Sequence, residues 1–229
     1  MKILQVVPSL DPITGGPAKS VRALSRALAQ AGCRVEVFAT DYPGGWVDRP
    51  GQVDVVEDEG YVVRTFVADR IAGMLRQPVS SALVQCIRDR AGEFDLTQCH
   101  SLWNPVISST MKALRAMDAR YCITPRGMLD PVVFARQRVK KRLWARLFER
   151  ANVQGAALLH FTADAEWDKA RQCGWDLPSG VVAGNVIDPL AWRDLPPRGA
   201  LEFRYPQLRG RRVVLFVGRL SWVKNLDKL

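Results

Sequence analysis

Two periods of apolar spacing alternate along this 229-residue chain. Runs of strand length are followed by stretches whose apolar residues recur at three and four, the spacing of one helix face. Lys2 to Val7 is such a run. A turn from Pro8 to Pro17, holding Gly15-Gly16, leads to a predicted helix over Ala18 to Ala31. There Val21, Leu24, Leu28 and Ala31 share a face opposite Lys19, Arg22, Arg26 and Gln30. Pro17 suits a first helical turn and Gly32 the left-handed residue after the last. Arg34 to Ala39 is the next strand, which completes a right-handed βαβ unit. Such units build a parallel sheet with helices on both faces, and ligands of these sheets sit beyond the carboxyl ends of the strands.

The alternation continues. Thr40 to Gln52 reads as a loop, and Val53 to Val56 with Tyr61 to Phe66 as a hairpin or edge pair around an acidic turn. Helices are predicted over Pro78 to Ala91 and Pro105 to Ala116, the second capped by Asn104. A long basic helix is predicted over Phe134 to Arg150, and another from a Thr162 cap to Cys173. Strands are predicted at Phe94 to His100, Arg120 to Thr124, Ala156 to Phe161 and Val181 to Ala183. The pattern breaks at Asp188 to Gly210, which carries four prolines and reads as a linker. Arg212 to Val217 is then an apolar strand, followed by a turn at Gly218 to Val223 and a helix starting at Lys224. The expected organisation is a domain over 1–187, a linker over 188–210, and the opening of a second domain over 211–229. The end at Leu229, about six residues into a helix, implies either a missing second domain or packing on something else.

Composition narrows the class. Apolar residues make up 48% and charged residues 24%, a globular balance, and no run is long enough to span a bilayer. Met1-Lys2 leads straight into a strand, with no secretory segment. Five scattered cysteines, Cys33, Cys86, Cys99, Cys122 and Cys173, argue for reduced thiols in a cytoplasmic protein. The net charge of +10 calls for an anionic partner.

Several stretches together resemble glycosyltransferase family 4. They are the Gly15-Gly16 βαβ unit, His100-Ser-Leu-Trp-Asn-Pro105, Thr124-Pro-Arg-Gly-Met-Leu-Asp130, Leu159-His-Phe-Thr162 with Glu166, Asn185-Val-Ile-Asp188, and Val217-Gly-Arg-Leu220 with Lys224-Asn225. The resemblance covers nearly the whole chain, with the motifs in family order. It implies the GT-B fold, two Rossmann-like domains across a cleft. Here that means an N-terminal acceptor-side domain and a truncated nucleotide-sugar-binding one. The implied reaction is transfer of a sugar, with retention, from a nucleotide-sugar to a glycan or lipid-linked acceptor in surface polysaccharide biosynthesis. The implied donor is a substrate rather than a cofactor, and the family normally needs no metal. No Asp-x-Asp motif or histidine cluster is present.

The resemblance gives the candidate residues their roles. Gly15 and Gly16 would let donor phosphate approach a helix N-terminus; the plain alternative is a glycine turn. Arg219 and Lys224 would bind the donor diphosphate, or be solvated cations. His100 and Arg126 are the catalytic candidates: His100 to hydrogen-bond an acceptor hydroxyl, Arg126 to grip a phosphate or carboxylate in two-pronged fashion. The alternatives are a core histidine and a loop arginine paired with Asp130. Many relatives carry a histidine near Arg126, and this chain does not. Trp103, Asn104 and Glu166 are the acceptor-binding candidates; packing, a helix cap and a first-turn charge are the alternatives. His160 reads as a buried histidine with a backbone partner.

The helix over Arg136 to Arg150 carries seven cations against Glu149, with Val139, Leu143 and Leu147 as its apolar stripe. It either packs on the sheet with a solvated basic face or lies on anionic lipid at the inner face of the membrane. Other readings stay open. The chain is an acceptor-binding half completed by another chain that supplies the rest of the donor domain, or a basic nucleic-acid-binding module. Against the last, no recognition motif is visible, and nucleic acid is not the expected partner.

Overall fold

The computed structural model describes residues 1–42, 53–69, 77–135, 143–187, 193–218 and 226. It divides into two compact units, Met1–Ile187 and Asp188–Leu229. The first holds one eight-stranded sheet: β1 (Lys2–Ser9), β2 (Arg34–Thr40), β3 (Val53–Asp58), β4 (Tyr61–Phe66), β5 (Leu96–His100), β6 (Tyr121–Thr124), β7 (Leu158–Phe161) and β8 (Gly180–Val182), in the order β3-β4-β2-β1-β5-β6-β7-β8. All neighbours are parallel except β3, which pairs antiparallel with β4 around Glu59-Gly60. The strand order turns back at β1, between β2 and β5.

The strands are apolar on both sides because helices cover both. One core cluster joins Val7, Val35, Val37, Tyr61 and Val63 to Val21 of α1 (Gly16–Gln30). The other joins Leu4, Val6 and Phe38 to Leu83 and Ile87 of α2 (Ser81–Arg90) and Ile107, Met111 and Leu114 of α3 (Pro105–Ala116). Helix ends follow local chemistry. Asn104 caps α3 by accepting the Val106 N–H at 3.2 Å, and Pro105 takes the first position. Gly32, at φ 83°, ends α1 with the paired Gly32-to-Ala29 and Cys33-to-Leu28 bonds of a Schellman turn. Ser80, rather than Pro78, opens α2, its hydroxyl accepting the Leu83 N–H at 3.3 Å.

The described parts of the predicted long basic helix are helical: α4 (Pro131–Ala135), and a run from Leu143 that passes through a π-helical turn at Ala145–Glu149 into α5 (Arg150–Gln154); residues 136–142 lie outside the described set. Of its apolar stripe, the described Leu143 and Leu147 face outward, against the sheet-packed alternative. Leu143 and Leu147 are each 59% exposed, while Ala145, Glu149, Asn152 and Val153 are buried. Thr162 does not cap the next helix, α6 (Asp164–Ala170), which starts after Ala163. Instead Glu166 reaches back and accepts from the Thr162 N–H and hydroxyl, both at 2.8 Å.

In the second unit the predicted linker contains α7 (Ala200–Arg204) and a turn at Pro206–Leu208. Arg212 to Val217, predicted as a strand, joins no sheet, and Val214 and Val217 are 82% and 83% exposed. An apolar run becomes a strand only when a neighbouring edge takes up its N–H and C=O groups. None is present among the described residues of that unit.

Candidate functional site

At the carboxyl edge of the sheet the side chains are polar where a parallel strand is usually apolar. Gln5 of β1 lies in register with Gln98 of β5, and His100 with Thr124 of β6. These residues form a row of hydrogen bonds across the sheet. An Arg126 Nη2–H donates to His100 Nδ1 at 3.2 Å. His100 Nε2 donates to Gln5 Oε1 at 2.6 Å, and Gln5 Nε2 to Gln98 Oε1 at 3.0 Å. Gln98 Nε2 donates to Thr124 Oγ1 at 2.7 Å and His160 Nδ1 at 3.1 Å. His160 Nε2 then donates to the Ala183 carbonyl at 2.9 Å. The ends set both tautomers. A guanidinium can only donate and a carbonyl can only accept, so His100 is neutral with its proton on Nε2, and His160 carries a proton on its Nε2. Burial, then the nearby Arg126 charge and His160, hold the pKa of His100 well below the ordinary histidine range.

His100 is fully buried, and both its ring nitrogens are taken by Gln5 and Arg126. What this arrangement presents outward is Arg126. Its guanidinium bonds the Asn185 side chain at 3.0 Å and His100, both neutral, and its buried Nε has no partner. The expected alternative pairing with Asp130 is not formed, since Asp130 pairs with Lys169 at 3.0 Å. Burial pushes the Arg126 pKa down, partly offset by the charge of Glu166.

The backbone here is held in costly conformations. Of the five non-glycine residues with positive φ among the described residues, three lie in the two loops leaving β5 and β6: Ser101 (76°), Trp103 (59°) and Arg126 (56°). Such strain persists only where the surroundings enforce it, and it concentrates at functional sites. Glu166 is one enforcer: besides Thr162 it accepts the Gly127 N–H at 2.6 Å, fixing the turn that carries Arg126. Trp103 is another. Its indole N–H donates to the Met128 carbonyl at 2.9 Å, and its ring meets Trp175 edge-on at 6.0 Å. Asn104 is nearly buried and acts as the α3 cap, with its amide toward Gln77 at 3.3 Å.

Behind these loops lies a carboxyl the sequence did not single out. Glu149 is fully buried. Its Oε1 accepts from the Trp103 N–H (3.0 Å), the Ser108 hydroxyl (2.5 Å) and the Trp144 indole (3.1 Å), while Oε2 has no partner. Burial raises its pKa, and the three donors only partly offset this.

Gly15 and Gly16 sit between the end of β1 and the start of α1. Gly15, at φ 93° and ψ −144°, occupies backbone space that a side chain excludes. Arg219 and Lys224 lie outside the described residues. Among the described residues no three His, Cys, Asp or Glu side chains gather as a metal site would need, and no helix is long and apolar enough to cross a membrane. Sequence reading missed Gln5, Gln98, Thr124, Asn185 and Glu149. The readable signal was a glutamine in the middle of each of two otherwise apolar strands.

A parallel Rossmann-like sheet, a glycine-opened first helix and a half-buried arginine after β6 are the features of a GT-B glycosyltransferase domain. Residues 15–185 match the glycosyl transferase 4-like domain, and the chain belongs to that family. Among solved structures it is similar to Anabaena HepE in complex with UDP and glucose (TM-score 0.62, 16% identity, 99% of this chain and 56% of that one). It is also similar to trehalose-6-phosphate synthase OtsA (0.62, 14%, 100% and 59%). A third is sucrose-phosphate synthase from Thermosynechococcus elongatus (0.56, 16%, 80% and 48%). At these identities the likeness is one of fold. The chain spans about half the length of these structures. A sequence search among curated proteins finds no match.

Proposed function

We propose that Met1–Ile187 is the acceptor-side half of a retaining glycosyltransferase. In this reading it moves a sugar from a nucleotide-sugar to a glycan or lipid-linked acceptor, in the cytoplasm, for surface polysaccharide assembly. Family membership supports the reaction class, and the UDP named with HepE supports the donor class. The observation that carries the reading is Arg126, a half-buried cation at the carboxyl edge of the sheet whose hydrogen-bond partners are neutral and whose buried Nε is unpartnered. A desolvated charge of this kind needs an anion. As the donor's glycosidic bond breaks, negative charge grows on the departing diphosphate, and its oxygen takes the proton of the incoming hydroxyl. Arg126 stabilises that charge where water cannot screen it. His100 positions the guanidinium as a neutral acceptor, and Glu166 holds the turn beneath it. The first turn of α1, opened by Gly15 and Gly16, turns unpaired N–H groups toward the same anion. Arg219 and Lys224 would grip the donor diphosphate from the second domain. The reaction needs neither metal nor cofactor.

In a full-length form, Arg126→Ala should lower turnover by two to three orders of magnitude, about the scale for losing one charge-stabilising group. Arg126→Lys, which keeps the charge but loses the fork, should recover only part of it. Wild-type kinetics in both variants would overturn the assignment.

A further inference from the structure

The segment from Leu143 to Gln154 is turned inside out for a surface helix. Its inward face is Ala145, Glu149, Asn152 and Val153, two of them polar, and its outward face is Leu143, Arg146, Leu147 and Arg150. A helix in contact with water alone does the reverse. A π-helical turn at Ala145–Glu149 lies within it. Phe148, stacked on Trp144 at 5.0 Å, connects it to a cavity of about 460 Å³ lined by Arg88, Lys112, Ala116 and Met117. Arg88, Lys112 and Met117 are exposed, Met117 at 42%. Exposed leucines and a methionine thus stand among four cations.

We infer that this face docks on an anionic lipid bilayer. Leu143 and Leu147 would enter the boundary between headgroups and acyl chains, with Arg88, Lys112, Arg146 and Arg150 meeting the headgroups. Charge selects this occupant. The chain carries a net +10, and a second copy docked by the same face would set these cations against one another. Neutral lipid would leave the cations without partners.

The experiment uses the 229-residue chain and is independent of whether it transfers sugar. The chain should co-sediment with vesicles of phosphatidylglycerol in phosphatidylcholine and not with phosphatidylcholine alone. Binding should fall steeply as salt rises to about 0.5 M, where screening closes to a few ångströms. Each cation near such a surface contributes about fivefold. Arg146→Glu with Arg150→Glu should therefore weaken binding about 25-fold or more. Leu143→Ser with Leu147→Ser should weaken it about tenfold and leave its salt dependence intact. Circular dichroism confirms that each variant is folded. Lys112→Glu, an exposed position on α3 outside the π-helical turn, is a separate test. No binding to anionic vesicles at low salt, equal binding to neutral ones, or binding unchanged in all three variants would overturn the proposal. So would a stable dimer that the leucine pair disrupts.

Discussion

Removing the Glu149 side chain tests how the interior supports the strained loops. In Glu149→Ala, Ser108 can turn its hydroxyl wholly to the Asn104 carbonyl, already at 2.9 Å, and accept the Trp144 indole, already at 3.3 Å. Only the Trp103 N–H loses its acceptor. One orphaned buried donor costs about 1–3 kcal/mol. The void from a fully buried side chain adds about 2 kcal/mol. Relief of the desolvated carboxyl offsets part of this, giving a net loss of about 2–4 kcal/mol. Glu149→Gln keeps the shape and an oxygen for Trp103, so it should lie within about 1 kcal/mol of wild type at neutral pH. The pH dependence separates the two roles. Burial raises the Glu149 pKa in the fold. The native state therefore binds more protons than the unfolded chain between the ordinary glutamate range and that raised value, and stability contributed by protonated Glu149 is lost as pH rises through it. Urea unfolding followed by tryptophan fluorescence, at several pH values, should show a slope in that window for wild type and a flatter one for Glu149→Gln. An alanine variant as stable as wild type, or a glutamine variant with an unchanged slope and large destabilisation, would refute the reasoning.

Further outcomes follow from the sheet-edge row. His100 should stay neutral on acidification while an unfolded chain protonates, so its contribution to stability is full above the ordinary histidine pKa of about 6.5 and is lost as pH falls below it. Imidazole NMR should show the Nε2–H tautomer, and a normal titration would refute it. Gln98→Leu should cost about 1–3 kcal/mol in thermal or urea unfolding, since it strands the Gln5 amide, while the Thr124 hydroxyl, 3.2 Å from His160 Nδ1, can still donate there. A Cβ on Gly180 would sit 2.9 Å from the Trp167 ring, so Gly180→Ala should cost about 1–2 kcal/mol and quench or shift that tryptophan's emission.

Much of the fold was legible because local signals agreed. Pro17, Gly32, Asn104 and Pro105 mark helix ends by their own backbone and side-chain limits, and alternating apolar runs fixed the order of strands and helices. Pairing was not legible: that β1 sits between β2 and β5 depends on contacts about 90 residues apart in sequence, such as Gln5 with Gln98. At the site, the strand-end positions of His100 and Arg126 could be read, but not which groups they touch. The spacing of Leu143 and Leu147 put them on one helix face, but whether that face turned to the sheet or away from it depends on tertiary contacts that a period count does not contain. Arg212 to Val217 was misread because apolar strand character needs an edge to join.

The row of hydrogen bonds across the sheet has a sense of direction. It begins at a group that can only give a proton and ends at one that can only receive it. Every glutamine and imidazole between them therefore has one permitted orientation, and none can flip by itself without setting two donors or two acceptors face to face. The loop bearing Arg126 and the one bearing Ala183 are bound into a single parity, settled once when the sheet forms. Because the Ala183 carbonyl alone still fixes that sense, a ligand that drew the guanidinium away from His100 would leave the row standing as it is, with His100 Nδ1 ready to receive the arginine again.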